Sequence, residues 1–345
     1  MTSISCTESK AESAFYPGEI WPDDKGVHIN AHGGGILRDH GAWYWFGEHK
    51  IAGGAGNSAH VGVHVYSSKD LYNWKDQGIA LQISKDPVSD ITDGSVIERP
   101  KVIYCAKTRK YVMWFHLELK GQGYSAARVG VAVSDKAIGP YRYLHSFRPN
   151  AGKWPLNITN ADKKGTLARD FEGGQMSRDM TLYVDTDGAA YHITSSEENE
   201  TFHISRLTDD YLGCSGEYIR VEPGQFNEAP AIMKVGKKYY LFSSGCSGWA
   251  PNAARLAVAD HIMGTWKHIG NPCVGTEDQK KITFDSQSTY ILPVPGKKDA
   301  FIFMADRWRP NNAIDGRYIW LPIKYKQGVP FIEWLDKWDL SIFNK

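Results

Sequence analysis

A unit made of a short β-type run, a Ser/Asp turn and a closing aromatic residue recurs along this chain, at residues 61–74, 129–141 and 255–266. The first copy alternates through Val61, Val63 and Val65, turns at Ser68-Lys69-Asp70 and ends on Trp74. The second turns at Ser134-Asp135 and ends on Tyr141, and the third turns at Asp260 and ends on Trp266. Each is preceded by an aromatic run, such as Trp43-Tyr44-Trp45-Phe46, Tyr111-Val112-Met113-Trp114-Phe115 or Tyr239-Tyr240-Leu241-Phe242. Aromatic and β-branched residues fit a pleated, half-buried surface, so these runs read as paired strands. A sheet this small cannot bury both of its faces alone and has to stack on copies of itself. The pattern therefore predicts an all-β chain, a five-bladed β-propeller, with residues 1–18 as an N-terminal extension and 19–345 as a single domain. No segment keeps a 3.6-residue period, so helices should be few and short.

Two carboxylates stand where such a fold would carry them toward its axis. Asp179 precedes the run Leu182-Tyr183-Val184 and the Asp185-Thr186-Asp187-Gly188 turn. Glu228 precedes Ala229-Pro230 and the run Ala231-Ile232-Met233. Hydrolysis of a glycosidic bond needs a proton for the leaving oxygen and an activated water, and two carboxyl groups commonly supply them. Glu228 is the candidate acid, with Phe226, Ala229 and Ile232 expected to desolvate it and a nearby Asp179 to raise its pKa further. Taken singly, each residue also reads as a solvated turn Glu or an exposed strand-start Asp. The corresponding first-strand segment, Asn30-Ala31-His32-Gly33-Gly34-Gly35, holds no acid.

The formal net charge is +1 with both signs interspersed and no basic stripe, which argues against a nucleic-acid partner. No apolar run approaches the roughly 18 residues of a membrane span. Ser5-Cys6 followed by Thr7-Glu8-Ser9-Lys10 reads either as the remnant of a bacterial lipoprotein cleavage site or as an arbitrary start. The first option places the protein outside the cytoplasm, in the periplasm or at the cell surface. Five Cys at irregular spacing exclude a zinc ribbon, and isolated buried thiols are expected, with one bridge left open. The polar stretch 149–175 lacks strand character and reads as a long loop over one face, beside the pocket or as a surface insertion without a role.

The motifs together resemble glycoside hydrolase family 43: Asp179 with its Asp-x-Asp-Gly hairpin, Glu228-Ala229-Pro230 and the repeated blade turns. The resemblance implies a five-bladed propeller and an inverting mechanism, with a first-strand Asp as the usual base. That Asp is missing here, and the departure resembles the exo-β-1,3-galactanases of the family. They share His32-Gly33-Gly34-Gly35, Tyr44-Trp45-Phe46-Gly47-Glu48, Glu98-Arg99-Pro100-Lys101-Val102, Gly248-Trp249 and Asp306-Arg307-Trp308.

Several roles follow from that resemblance. Gln287 would replace the base as its imidic-acid tautomer with Glu98 as its partner, although by itself it also reads as a core Gln. Glu48 and Glu98 would bind galactose hydroxyls or orient the water, the rival role for Glu98 being an ion pair with Arg99 or Arg178. Tyr124, Trp249 and Trp308 are candidate sugar platforms, with core packing as the alternative for each, and His32, Ser247 and Asp306 are further candidate substrate contacts. His32, His49 and His116 could hold a metal or a central water. A structural calcium is possible, but no acidic loop is dedicated to one, so no cofactor is expected. The partner expected is a β-1,3-galactan or arabinogalactan, and the chain is expected to be a monomer. The alternatives are an α-L-arabinofuranosidase, β-xylosidase or galactofuranosidase on the same fold, and an inactive glycan-binding propeller.

Overall fold

The computed structural model describes residues 11–58 and 60–344, and the candidate lipoprotein remnant at Ser5-Cys6 lies outside them. Strands dominate, and the two α-helices, Gly165–Arg169 and Glu277–Lys281, have five residues each. Each repeat unit supplies the third strand of a sheet, at His60–Ser68, Arg128–Ser134 and Arg255–Ala259. Its closing aromatic caps its own turn. Trp74 Nε1 donates to the Leu71 carbonyl at 3.0 Å, Tyr141 Oη to Ala137 at 2.9 Å and Trp266 Nε1 to Ile262 at 3.1 Å.

The fold is a β-propeller. Four sheets have four strands each and run through residues 32–82, 96–147, 180–221 and 228–270; a fifth has three strands within 287–322. Their first strands are His32–Asp39, Val96–Cys105, Met180–Val184, Glu228–Val235 and Gln287–Pro293. These five pack side by side in that order, and the fifth returns to the first, closing a ring around the axis. The sheets nevertheless number six, which corrects the expectation of five. The sixth is small: Cys273–Val274 pairs in parallel with Val329–Glu333, which pairs with Lys324–Lys326. Its strands come from segments before and after the fifth sheet, and Val329–Glu333 packs beside Arg317–Pro322.

The aromatic surplus goes mostly into the seams between sheets. Between the fifth and first sheets, Trp45, Trp74, Tyr318 and Trp320 form one buried cluster, Trp45 and Trp74 meeting edge to face at 5.3 Å. Phe15 joins it and pairs through its backbone with Trp338, at 2.7 and 3.2 Å. Residues near both ends of the described chain therefore lock the closing seam, and Phe15 belongs to the domain's core.

Residues 149–175 do not reach the cavity described below. They lie along the outer strand Cys214–Val221, where the Lys153 carbonyl accepts from Tyr218 Oη and Asn157 exchanges two bonds with the Arg220 backbone. Backbone groups of a strand that ends a sheet need partners, and this loop supplies them. The described cysteines, Cys105, Cys214, Cys246 and Cys273, are free thiols, and Cys246 is exposed rather than buried.

The first inner strand bulges at Gly33 and Gly34, and the three glycines there are required by close approach. A Cβ on Gly34 would stand 2.1 Å from the Phe46 carbonyl oxygen, a backbone atom that cannot move aside. Gly34→Ala should therefore cost about 1–3 kcal/mol in urea unfolding. Gly173→Ala, at a position facing open space, should stay within about 0.5 kcal/mol of the parent. Equal stability of the two variants would refute this account of the bulge.

Candidate active site

The same irregularity recurs at the head of four inner strands. Register shifts fall between His32 and Gly35, Glu98 and Lys101, Glu228 and Ala231, and Ser288 and Tyr290. In three of them the residue after the site position is left-handed: Gly33 at φ 60°, Arg99 at 54° and Ala229 at 55°. A bulge breaks the pleat and re-aims the side chain before it, here toward the axis. Pro100 and Pro230 fit because a bulged position has no ladder partner to receive an N–H.

Of these, Glu98 and Glu228 meet other side chains in one axial cavity of about 330 Å³, which His32 and Ser288 do not line. Glu48, Glu98, Asp179, Glu228, Gln287, Tyr124, Trp249 and Trp308 all line it. Asn57, Arg99, His116, Arg178 and Asn199 line it as well. Of these, Arg99 and Asn199 carry geometry that sequence reading missed; the bulge motif around Pro100 was the available signal for Arg99, and no pattern marks Asn199.

Arg99 is buried and central. Its guanidinium reaches Asp179 Oδ2 at 2.9 Å, Gln287 Oε1 at 2.5 Å and the Ser288 carbonyl at 2.9 Å, and lies over the Trp308 ring. Its backbone N–H donates to Glu48 Oε1 at 2.9 Å. Asp179 also accepts the Ala229 N–H at 3.0 Å, which ties it to the bulge beside Glu228.

The carboxyls differ sharply in proton affinity. Burial pushes Glu228 up to about 7, and the charge of Asp179 adds to it against the opposing pull of Arg99. Burial acts on Glu98 in the same direction, but the hydrogen bond and charge of His116 outweigh it and hold Glu98 at about 2. His116 sits between Glu98 and Glu118, at 2.8 and 2.9 Å, and the two carboxylates lift its pKa to about 9 against the effect of burial. Tyr124 Oη donates to Glu98 at 2.8 Å, and Asn57 donates to the same oxygen. Glu98 is thus a fixed anion paired with His116, and the ion pairs weighed for it go elsewhere: Arg99 to Asp179, Arg178 to Glu198. Burial raises Glu48 too, although its Oε2 lies 2.7 Å from Lys50 Nζ.

Gln287 is not partnered by Glu98. Its Oε1 accepts from Arg99 and, at 3.2 Å, from Trp308 Nε1. Its Nε2 donates to Ser244 Oγ at 2.9 Å and to Glu228 Oε2 at 3.5 Å. Two donors on the oxygen fix which end of the amide is which. They also hold the resting side chain in its amide form.

Three expected contacts lie off the cavity wall. His32 is 1% exposed, with neither ring nitrogen bonded, and packs on Tyr318. Asp306 lies beneath it, where Oδ2 accepts the Gly33 N–H at 2.5 Å and burial pushes its pKa up to about 7. Ser247 is occupied within its own loop, donating to the Ala250 carbonyl at 2.6 Å and accepting from Asn252. Phe226 is 47% exposed, so the desolvation of Glu228 is left to buried Ala229 and its other neighbours. Of the histidines considered for a metal, His49 faces His64 at 2.7 Å. His116 can be grouped with Glu98 and Asp179, whose candidate ligand atoms lie within 4.8 Å of one another. That group does not fit a divalent cation as it stands. Both His116 nitrogens face carboxylates, Asp179 is paired with Arg99, and hard Ca²⁺ wants several oxygen ligands.

Residues 32–330 match the family model for glycosyl hydrolases family 43. Among solved structures, a family 43 β-1,3-galactosidase in complex with galactodeoxynojirimycin is 51% identical. The match covers 94% of this chain and 100% of that one, with a TM-score of 0.90. A variant of an exo-β-1,3-galactanase from Phanerochaete chrysosporium, solved with β-1,3-galactotriose, is 34% identical over 95% of this chain and 68% of its own, with a TM-score of 0.80. A xylosidase/arabinosidase of Bacteroides ovatus is 25% identical over 254 residues, 68% of this chain and 67% of the relative. No helix among the described residues is long and apolar enough to cross a membrane. With the family model spanning most of the chain and a solved relative sharing half its residues, this protein belongs to glycosyl hydrolases family 43.

Proposed function

We propose that this glycoside hydrolase is an inverting exo-β-1,3-galactanase that releases galactose from the non-reducing end of β-1,3-galactan. The observation that carries the reading is Glu228, a carboxyl held near neutrality in a cavity suited to one terminal sugar, beside Gln287 and without an acid on the first inner strand. The galactose-acting solved relatives support the substrate class. The xylosidase/arabinosidase alternative rests on the more distant Bacteroides relative. A glycan-binding propeller would have no use for a desolvated acid. In this reading five inner strands form the catalytic ring, and the small sixth sheet is an appendage outside it.

Glu228 gives its proton to the glycosidic oxygen while water attacks the anomeric carbon from the opposite face. Glu98 and Glu48 would hold sugar hydroxyls, and Trp308 or Trp249 would cover a sugar face. Gln287 is the residue assigned to the water. As an imidic acid it would accept the water's proton on nitrogen and become an O-protonated amide, which then passes to solvent water the proton on its oxygen. That oxygen must first give up Arg99 or Trp308, so substrate binding has to loosen one of those bonds. In the resting state Gln287 Nε2 and Glu228 Oε2 are 3.5 Å apart, well inside the roughly 6.5–9.5 Å of inverting pairs, so the two must also part to admit the sugar.

Three outcomes follow. Incubation with β-1,3-galactan, followed by proton NMR, should show α-galactose from the first minutes; early long oligosaccharides or the β anomer would sink the exo or the inverting assignment.

The acid must be protonated to act, so kcat/KM should fall as pH rises through about 7, the value set for Glu228 by burial and Asp179. Glu228→Gln should remove that limb and lose about 10²–10⁴-fold on galactan, and far less on an aryl galactoside with a good leaving group. Equal losses on both substrates would reassign Glu228 to binding.

Gln287→Ala should lose about 10²–10⁴-fold in kcat with substrate affinity largely kept. Full turnover in that variant together with an inactive Glu98→Gln would move the base role to Glu98.

A further inference from the structure

The turn joining the second and third strands of the third sheet contains Glu197, Glu198 and Asn199, with φ of 52°, 59° and 68°. Three consecutive side-chain-bearing residues in the left-handed region are each disfavoured by contact between Cβ and the backbone. No glycine relieves them, so tertiary contacts must hold the turn. Glu197 is 2% exposed, and its carboxylate receives three bonds of 2.8 Å, from His203 Nε2, Arg220 Nε and Arg220 Nη2. Those donors outweigh burial and keep Glu197 anionic. Neither Glu197, His203 nor Arg220 lines the catalytic cavity.

The turn delivers Asn199 to the acid. Asn199 Nδ2 donates to Glu228 Oε1 at 2.9 Å, and the Asn199 carbonyl accepts the Asn227 N–H at 3.0 Å. The Phe226 N–H donates to the Glu200 carbonyl at 3.3 Å. Both the side chain of Glu228 and the backbone leading into it are therefore docked on the neighbouring sheet's turn. Oε2 accepts from Gln287 Nε2 at 3.5 Å, so both oxygens of the carboxyl are held and the shorter bond is the one from Asn199.

We propose that the buried Glu197–Arg220–His203 cluster, through the left-handed turn that ends at Asn199, is a positioning device for Glu228 that fixes the orientation of its carboxyl. The device rests on the assignment of Glu228 as general acid. Asn199 acts through Glu228, and the cluster acts through Asn199. Misplacing a catalytic proton by a fraction of an ångström leaves binding intact and slows chemistry.

Asn199→Gly tests this because glycine keeps the left-handed backbone and removes the amide. kcat on β-1,3-galactan should fall by about tenfold to a hundredfold with KM little changed. The loss should be much smaller on an aryl galactoside with a good leaving group. The alkaline limb of the pH profile should move up, because a donor that favours the charged carboxylate is gone while Asp179, Arg99, Cys246 and Glu98 around Glu228 remain. Arg220→Met should reproduce this signature from outside the cavity, and Arg220→Lys should recover part of it.

Equal losses on both substrates, an unmoved pH limb, or a change in KM alone would overturn the proposal. If Arg220→Met does not fold, Asn199→Gly decides. Glu228→Gln run in parallel separates the two levels. If it shows no leaving-group dependence, the acid assignment fails. If it does and Asn199→Gly does not, only the positioning device fails.

Discussion

The guanidinium of Arg99 is the interaction on which the site depends. From the second inner strand it binds Asp179 at the head of the third and Gln287 at the head of the fifth, while its N–H holds Glu48 of the first sheet. The fourth sheet is reached through Asp179, which accepts the Ala229 N–H beside Glu228. One cation thus spans the ring and fixes the mutual positions of groups that no local backbone connects. A buried cation is costly without compensation. Here the charges of Asp179, Glu48, Asp306 and Glu98 outweigh burial and keep Arg99 fully charged. Burial and the charge of Asp179 raise Glu228, while the direct pull of Arg99 opposes that rise.

Placement of Arg99 is itself a backbone effect. It occupies the left-handed position of a bulge, as Gly33 and Ala229 do in their strands. Repeating one distortion at the mouth of successive sheets turns a ladder of alternating residues into a ring of convergent ones. The cost of an unfavourable φ at Arg99 and Ala229 is offset by burial and by the bonds made to Glu48 and Asp179. The backbone leading into Glu228 is docked on the left-handed turn at residues 197–199, where the Asn199 carbonyl accepts the Asn227 N–H.

Two carboxyls of one cavity take opposite proton states because their neighbours differ. Glu98 accepts from His116, Tyr124 and Asn57 and stays an anion; Glu228 faces another anion and stays protonated up to about neutrality. Pairs whose surroundings push their pKa values apart are how a site divides acid work from electrostatic work. Lys101, buried below Arg99 with Nζ 2.8 Å from the Gly33 carbonyl, is lowered to about 7 by burial and by the charge of Arg99.

Short-range pattern was enough to find the strands, the closing aromatics Trp74, Tyr141 and Trp266, the scarcity of helix, and Asp179 and Glu228 as a candidate pair. Those features follow from side-chain alternation, turn chemistry and a repeat that must stack, all local in sequence, whereas Glu48, Glu98 and Gln287 were reached through the family resemblance. The absence of an acid at residues 30–35 was equally legible, and at Gly34 there is no room even for a Cβ. Which groups touch was decided by ring closure. Gln287 met Arg99 and Trp308 instead of Glu98, and His32, Asp306 and Ser247 fell behind or beside the cavity wall. Residues 149–175 covered the edge of the third sheet, and a sixth small sheet formed. Residues 99, 179, 228 and 287 are tens of positions apart, and no local propensity relates the direction of one side chain to another. Their geometry is set only when five inner strands pack around one axis and a buried charge must find its partners.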